Sequence, residues 1–192
     1  MAFETILAHT IPIFLIVAIG LIVRRTGVVN DEAQNSLMRL VINVLYPCFI
    51  LSKVIGNEVL NSGAIVAVSM GIGTGMILIS FAVCYGVGRL IGLDESRGLN
   101  TFVVAVGIQN YGFIPIPLVE GLYPPEIGDR ILGVMFMHNL GVEIAMWTAG
   151  IVILSGKAKG ALRRLIRGPT IAIFAGLLIN ATGGEVLIPG VV

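Results

Sequence analysis

The chain has 192 residues, 56% of them hydrophobic and 12% charged, with a formal net charge of +1 and a mean hydropathy of +0.99. A soluble domain carries about 25% charged residues, so this composition speaks against a soluble globular domain and for a membrane protein. No basic face is free for nucleic acid, and the two histidines and two cysteines lie at neither metal-ligand nor dithiol spacing, which disfavours a zinc centre or a redox pair.

A helix needs about 20 apolar residues to cross a bilayer. In chain order, spans are expected at roughly 5–23, 34–53, 62–91, 99–122 (broken), 130–154 and 169–181. The first is not a signal peptide, because Arg24 and Arg25 follow its apolar run instead of preceding it. Thr10 and Pro12 are expected to kink it, with no site meaning. If the N-terminus is outside, ten of the twelve basic residues fall on the inner side: Arg24, Arg25, Arg39, Arg89, Arg97 and the five from Lys157 to Arg167. Only Lys53 and Arg130 fall outside, which satisfies the positive-inside rule. The expected setting is a multi-pass protein of the plasma or inner membrane, N-terminus out. The Lys157–Arg167 cluster reads as a topology anchor, with a contact to anionic lipid as a secondary reading.

The second span carries Arg39 one turn in, able to snorkel, and Pro47, which deprives the carbonyl of Asn43 of its helical donor. Asn43 is therefore either a repair of that carbonyl or a lining residue of a site. The third span is long and holds Ala67, Gly71 and Gly75 at four-residue steps. These predict close helix packing. The nearby "GIGTG" lacks the preceding strand and the spacing of a nucleotide loop.

The fourth span contains "VGIQNYGFIPIPLVEG", residues 106–121. Pro115 and Pro117 lack an N–H and clash with the preceding turn, so a regular helix cannot pass them; Gly112 lets the chain turn. Irregular backbone survives at membrane depth only where protein covers it or a water-filled cavity meets it. The side chains of Gln109, Asn110 and Tyr111 can serve the freed backbone, a ligand, or both. The half-helix that follows should offer unpaired N–H groups and a partial positive charge to an anion such as a carboxylate. This pattern points to a discontinuous transporter helix; a plain proline kink is the blander reading. Glu120 beyond it is expected to be solvated, and Pro124, Pro125 and Glu126 to form an outer turn.

The fifth span places Glu143 near its middle, with Asn139 one turn earlier on the same face and Met135 and Trp147 continuing the stripe. An ionisable residue at this depth should face protein or water. Glu143 either carries a proton during transport or pairs with a polar group and holds helices together. His138, about 100° round from Asn139, is expected to be structural, with a place in proton coupling as the alternative.

The segment "NYGFIPIP" resembles the membrane crossover of the auxin efflux carrier family, relatives of the plant PIN transporters. The fourth span of that family reads Asn-x-Gly-Phe-x-Gly-x-Pro, matched here by Asn110, Gly112, Phe113 and Pro117, with Pro115 where the family has glycine. "IPIFLIVAIGLIVRRTGVVNDEA", "LMRLVINVLYPCFIL" and "RGPTIAIFAGLLIN" look like its first span, its second span and the opening of its second repeat. The resemblance implies an all-α polytopic membrane protein of the NhaA and bile-acid-symporter kind. Two five-span repeats of opposite orientation each have a broken crossover fourth helix, and substrate binds where the breaks meet. On that comparison residues 1–155 form the first repeat, 156–168 a basic cytoplasmic loop, and 169–192 the first span of a second repeat whose later spans, seven to ten, are lacking.

The expected function is secondary transport of small organic anions, such as carboxylates, auxin-like weak acids or dicarboxylates, by alternating access. No cofactor is expected beyond a coupling ion, H+ or Na+. The resemblance also suggests a homodimer in the bilayer. A sodium-coupled organic-anion symporter and a non-transporting scaffold subunit remain alternatives. An intramembrane enzyme using His138 and Glu143 is disfavoured, because no serine or cysteine nucleophile stands at matching depth.

Overall fold

The computed structural model describes residues 3–110, 112, 114–156 and 166–184. Among them the fold is all-helical: α1 (Phe3–Arg25), α2 (Asp31–Val54), α3 (Gly63–Leu90), α4 (Leu99–Gly107), α5 (Pro115–Leu122), α6 (Pro125–Ser155) and α7 (Gly168–Ala181). Helices α1, α2, α3 and α6 are long and apolar enough to cross a membrane. The expected fourth span is present as two short helices, α4 and α5, separated at residues 108–114. Helix α7 has 14 residues.

Local chemistry explains the boundaries. Asn30 caps α2 by accepting from the Ala33 N–H at 2.8 Å, and Ser62 caps α3 by accepting from the Ile65 N–H. Gly98 opens α4 at φ 82°, a left-handed conformation that suits glycine. Pro47 does not break α2. The turn before it, Val41–Leu45, widens to a π-helix instead, which absorbs the missing donor. A second π-helical turn, Met146–Gly150, interrupts α6. In α1 the chain runs helically through Pro12, and Thr10 bonds back to the Ile6 carbonyl at 2.7 Å.

Side-chain contacts give the helix directions. His9 in α1 lies against Gly121 in α5, and Arg24 pairs with Asp31, so α1 runs opposite to α2. Gly168 starts α7 beside Asn43 and Pro47. Asn180, near the end of α7, clamps the end of α2, donating to the Val54 carbonyl at 2.8 Å and accepting from the Gly56 N–H at 2.9 Å. Thus α7 runs parallel to α2 and opposite to α1.

Two apolar clusters join the elements. Ile50, Val54, Leu132, Phe136, Leu140 and Ile173 tie α2, α6 and α7. Ile77, Phe81, Leu99, Val103, Val142 and Ala145 tie α3, α4 and α6. The outer surface is also apolar, with residues such as Phe14, Val17, Ile79 and Leu90 more than half exposed. Between apolar helices in lipid, close packing rather than water exclusion supplies the attraction.

The tightest seam is α3 on α6. A Cβ on Gly73 would land on the carbonyl of His138, and one on Gly141 on the carbonyl of Met70. Thr74 donates to the Gly141 carbonyl at 3.0 Å across it. The small residues expected to pack, Ala67, Gly71 and Gly75, lie on another face: Ala67 and Gly71 are exposed, and an added Cβ at Gly71 or Gly75 meets nothing. The seam is carried by Ser69, Gly73 and Ile77, two positions or about 200° round the helix.

At the end where α2 finishes, Lys53 pairs with Asp129 of α6 at 2.7 Å and with Glu120 of α5 at 3.5 Å, and Arg130 pairs with Glu58 at 3.0 Å. Glu120 is therefore an ion-pair partner and not simply solvated.

Candidate functional site

The break in the fourth span faces a cavity of about 560 Å³. Four parts of the chain build it: α2 from Met38 to Ile50; Ile108, Gln109, Asn110 and Gly112 of the break with Ile116; α6 from Phe136 to Glu143; and the start of α7 with Arg167, Pro169 and Ile173. Met38 and Ile50 are twelve positions apart, about 18 Å of helix rise. The cavity therefore reaches from the middle of the molecule toward the end where α2 begins. Its walls are mostly apolar, and its polar groups are the Tyr46 hydroxyl and the side chains of Gln109, Asn110, Asn139, Glu143 and Arg167.

The break takes its form from its own residues. Helix α4 stops at Gly107, whose missing side chain lets Phe81 of α3 close against it. Gln109 and Asn110 follow as exposed residues on the cavity wall. Asn110 Oδ1 accepts a 3.4 Å bond from the Gly112 N–H, the side-chain-to-backbone turn that asparagine favours. Gly112 has no positive φ, so left-handed freedom is not what it supplies; a Cβ there would meet only the Tyr46 hydroxyl at 3.7 Å and Ile116 at 3.9 Å. Tyr111 and Phe113 lie outside the described residues.

The first turn of α5 differs from expectation. Pro115 and Pro117 have no N–H to give. The Ile116 N–H bonds to the Gly112 carbonyl at 3.0 Å, and the Leu118 N–H to the Ile114 carbonyl at 3.4 Å. Two carbonyls of the break, those of Gly112 and Ile114, are thus satisfied from within it, and from Pro115 to Leu118 no backbone donor is left for an anion.

Asn139 offers what that helix end does not. It is only 5% exposed, lines the cavity, and its Nδ2 has no hydrogen-bond partner among the described residues. Its Oδ1 lies 3.4 Å from His138 Nδ1. Leaving a buried amide donor unsatisfied costs about 1–3 kcal/mol. His138 itself is half-buried and is not on the cavity wall.

Glu143 stands one turn further along α6. Its Oε2 accepts a 2.9 Å bond from the Thr170 hydroxyl of α7. Asn43 stands apart from these groups: its Nδ2 donates to the Arg39 carbonyl at 2.9 Å and the residue is exposed on α2, off the cavity. The structure therefore brings Gln109, Asn110, Gly112, Asn139 and Glu143 to one cavity and leaves Asn43 and His138 off its wall.

Arg167, read from the sequence only as part of a basic anchor, is also on the cavity wall. Its guanidinium carbon sits 4.0 Å from the centre of the Trp147 ring, a cation–π stack. The available signal was its position directly before the Gly168-Pro169 start of α7, with Trp147 one turn beyond Glu143. No cluster of metal-ligating side chains occurs among the described residues, and Cys48 and Cys84 are free thiols.

A protein family described as "Membrane transport protein" matches residues 5–172. The chain belongs to this membrane transport family. The resemblance drawn from "NYGFIPIP" to the auxin efflux carriers is thereby borne out, and the chain is a multi-pass membrane protein. It is 25% identical over 187 residues to an uncharacterized transporter of Methanothermobacter thermautotrophicus, covering 94% of this chain and 58% of that protein. The chain thus spans a little over half the length of that relative. No solved structure matches.

Proposed function

We propose that this chain forms one half of a secondary transporter for small organic anions, with the cavity at the broken fourth helix as its substrate site. One observation carries the reading. A cavity beside a broken membrane helix holds a nine-tenths-buried amide donor, Asn139 Nδ2, with no partner among the described residues, beside the exposed amides of Gln109 and Asn110 on the same wall. Membrane interiors do not keep such a donor idle without cost; a carboxylate oxygen satisfies it. Gln109 and Asn110 complete the polar side, with Tyr111 assigned there by the sequence, and the apolar walls take the body of an organic acid.

The mechanism is alternating access. The α2, α5 and α6 ends are tied by Lys53 with Asp129 and Glu120, while the cavity extends toward the opposite ends. The positive-inside distribution makes those opposite ends cytoplasmic. Helix α7 runs opposite to α1, as the first helix of an inverted second repeat would. Glu143 and Thr170 join α6 to α7, and a proton on Glu143 is the coupling ion in this reading.

The test is uptake of labelled monocarboxylates and dicarboxylates by the full chain in proteoliposomes, with and without a sodium gradient. Asn110→Ala should cut uptake about tenfold, the loss of roughly one hydrogen bond to a charged group. Equal transport by that variant would remove Asn110 from the substrate site, whereas a wild type with neither uptake nor ligand-dependent stabilisation would support the scaffold reading instead. Strict sodium dependence would replace the proton with sodium.

A further inference from the structure

Arg167 differs from the other arginines of this chain that lie near carboxylates. Arg24 pairs with Asp31, Arg97 with Asp94 and Arg130 with Glu58. Arg167 has no ion-pair partner among the described residues, although it shares the cavity wall with Glu143. It is held by the face of Trp147 instead. Trp147 stands one turn beyond Glu143 on α6 and lies in the π-helical turn Met146–Gly150, so two elements, α6 and the entry to α7, fix the guanidinium.

This geometry has a chemical consequence. A guanidinium stacked by its face keeps its in-plane N–H edge free. That edge matches a carboxylate in a bidentate pair. The stack has already restricted the long side chain, which lowers the entropy cost of taking up a ligand. A topology anchor requires only a charge, which lysine supplies equally. An arginine stacked at the wall of a cavity, without an ion-pair partner among the described residues, supplies a planar bidentate edge that lysine cannot.

We propose that Arg167 is the anion-anchoring residue of the cavity: its guanidinium, pre-set on Trp147, receives the carboxylate of the organic acid, while Asn139 Nδ2 and the Gln109–Asn110 amides hold it from the other walls. The inference rests on the reading of the cavity as an organic-anion site. It makes Arg167 a determinant of charge selectivity. An uncharged amide of the same shape should fill the apolar walls as well as the acid does, and should differ from it only through this one residue.

The chain holds a single tryptophan, Trp147, so occupation of Arg167 has its own reporter. The full chain in nanodiscs is titrated with benzoate and with succinate, and with benzamide as the neutral control. Trp147 emission, excited at the red edge of indole, is read beside thermal stabilisation. The wild type should show a saturable emission change with a carboxylate and prefer it over benzamide by about tenfold or more, the worth of a charge-assisted pair. Arg167→Lys keeps net charge and fold and should cut that preference several-fold, because an ammonium attracts a carboxylate but cannot pair with it edge-on. Trp147→Leu, followed by thermal stabilisation alone, should weaken carboxylate binding several-fold with Arg167 still present. Carboxylate preference undiminished in both variants overturns the proposal and leaves the organic-anion site standing. A wild type that binds neither benzoate nor succinate overturns the site and the proposal together.

Discussion

Thr170 donates a 2.9 Å hydrogen bond to Glu143 Oε2, and this bond joins α7 to α6 beside the cavity. Thr170 is 5% exposed, so its hydroxyl has no water to turn to. Thr170→Val keeps the volume and removes the bond. The carboxylate loses its donor, and the cost should be about 1–3 kcal/mol, seen as a lower unfolding temperature in detergent. Thr170→Ser should recover most of it.

Asn139 should behave in the opposite way. Its Nδ2 makes no bond among the described residues, so Asn139→Leu removes a desolvated donor and gives up only the long 3.4 Å contact of Oδ1 with His138 Nδ1. The variant should be as stable as the wild type or more so, yet lose ligand-dependent stabilisation by carboxylates. A large loss of stability would show instead that the contact with His138 Nδ1 carries structural weight.

Glu143 lies within α6, bonded only by Thr170 among the described residues. If it takes up and releases a proton in each cycle, Glu143→Gln should flatten the dependence of uptake on pH, because glutamine accepts the Thr170 bond but cannot titrate. Initial rates across a series of external pH values check this. An unchanged profile removes Glu143 from coupling and leaves it as a link between helices.

The α3 glycines divide sharply. Gly73→Ala places a methyl on the His138 carbonyl and should cost about 1–3 kcal/mol through forced separation of the helices. Gly71→Ala meets nothing within 4 Å and should be neutral or stabilising by up to about 1 kcal/mol, since glycine weakens a helix interior. Parallel thermal denaturation of the two variants decides it.

The helical architecture and the break between Gly107 and Pro115 were legible in the sequence, because hydropathy length and paired prolines act locally. The pairing of Asn139 with Glu143 on one face followed from their spacing of four on α6. The packing face of α3 was not legible: a span apolar on every side carries no contrast from which to read its phase. The fate of the α5 N–H groups was hidden because the same prolines that break the helix also remove its donors, and the remaining two turn back to Gly112 and Ile114. Asn43 was open to two readings because the widened turn at Val41–Leu45 shifts which side chains of α2 face inward. Charge placement marked Arg167 as part of a basic cluster but could not name its neighbour, since the stack on Trp147 joins residues 20 positions apart in sequence.

The glycine seam also has a mechanical meaning. Long side chains yield to displacement by changing rotamer, whereas two backbones in contact leave no slack. Through Gly73 and Gly141, a force applied to α6 at Asp129 passes to α3 nearly unattenuated, and the pair acts as a strut. Helix α1, which packs chiefly on α5, is not braced in this way. If the cavity turns toward the opposite side as proposed, α3 and α6 should move together.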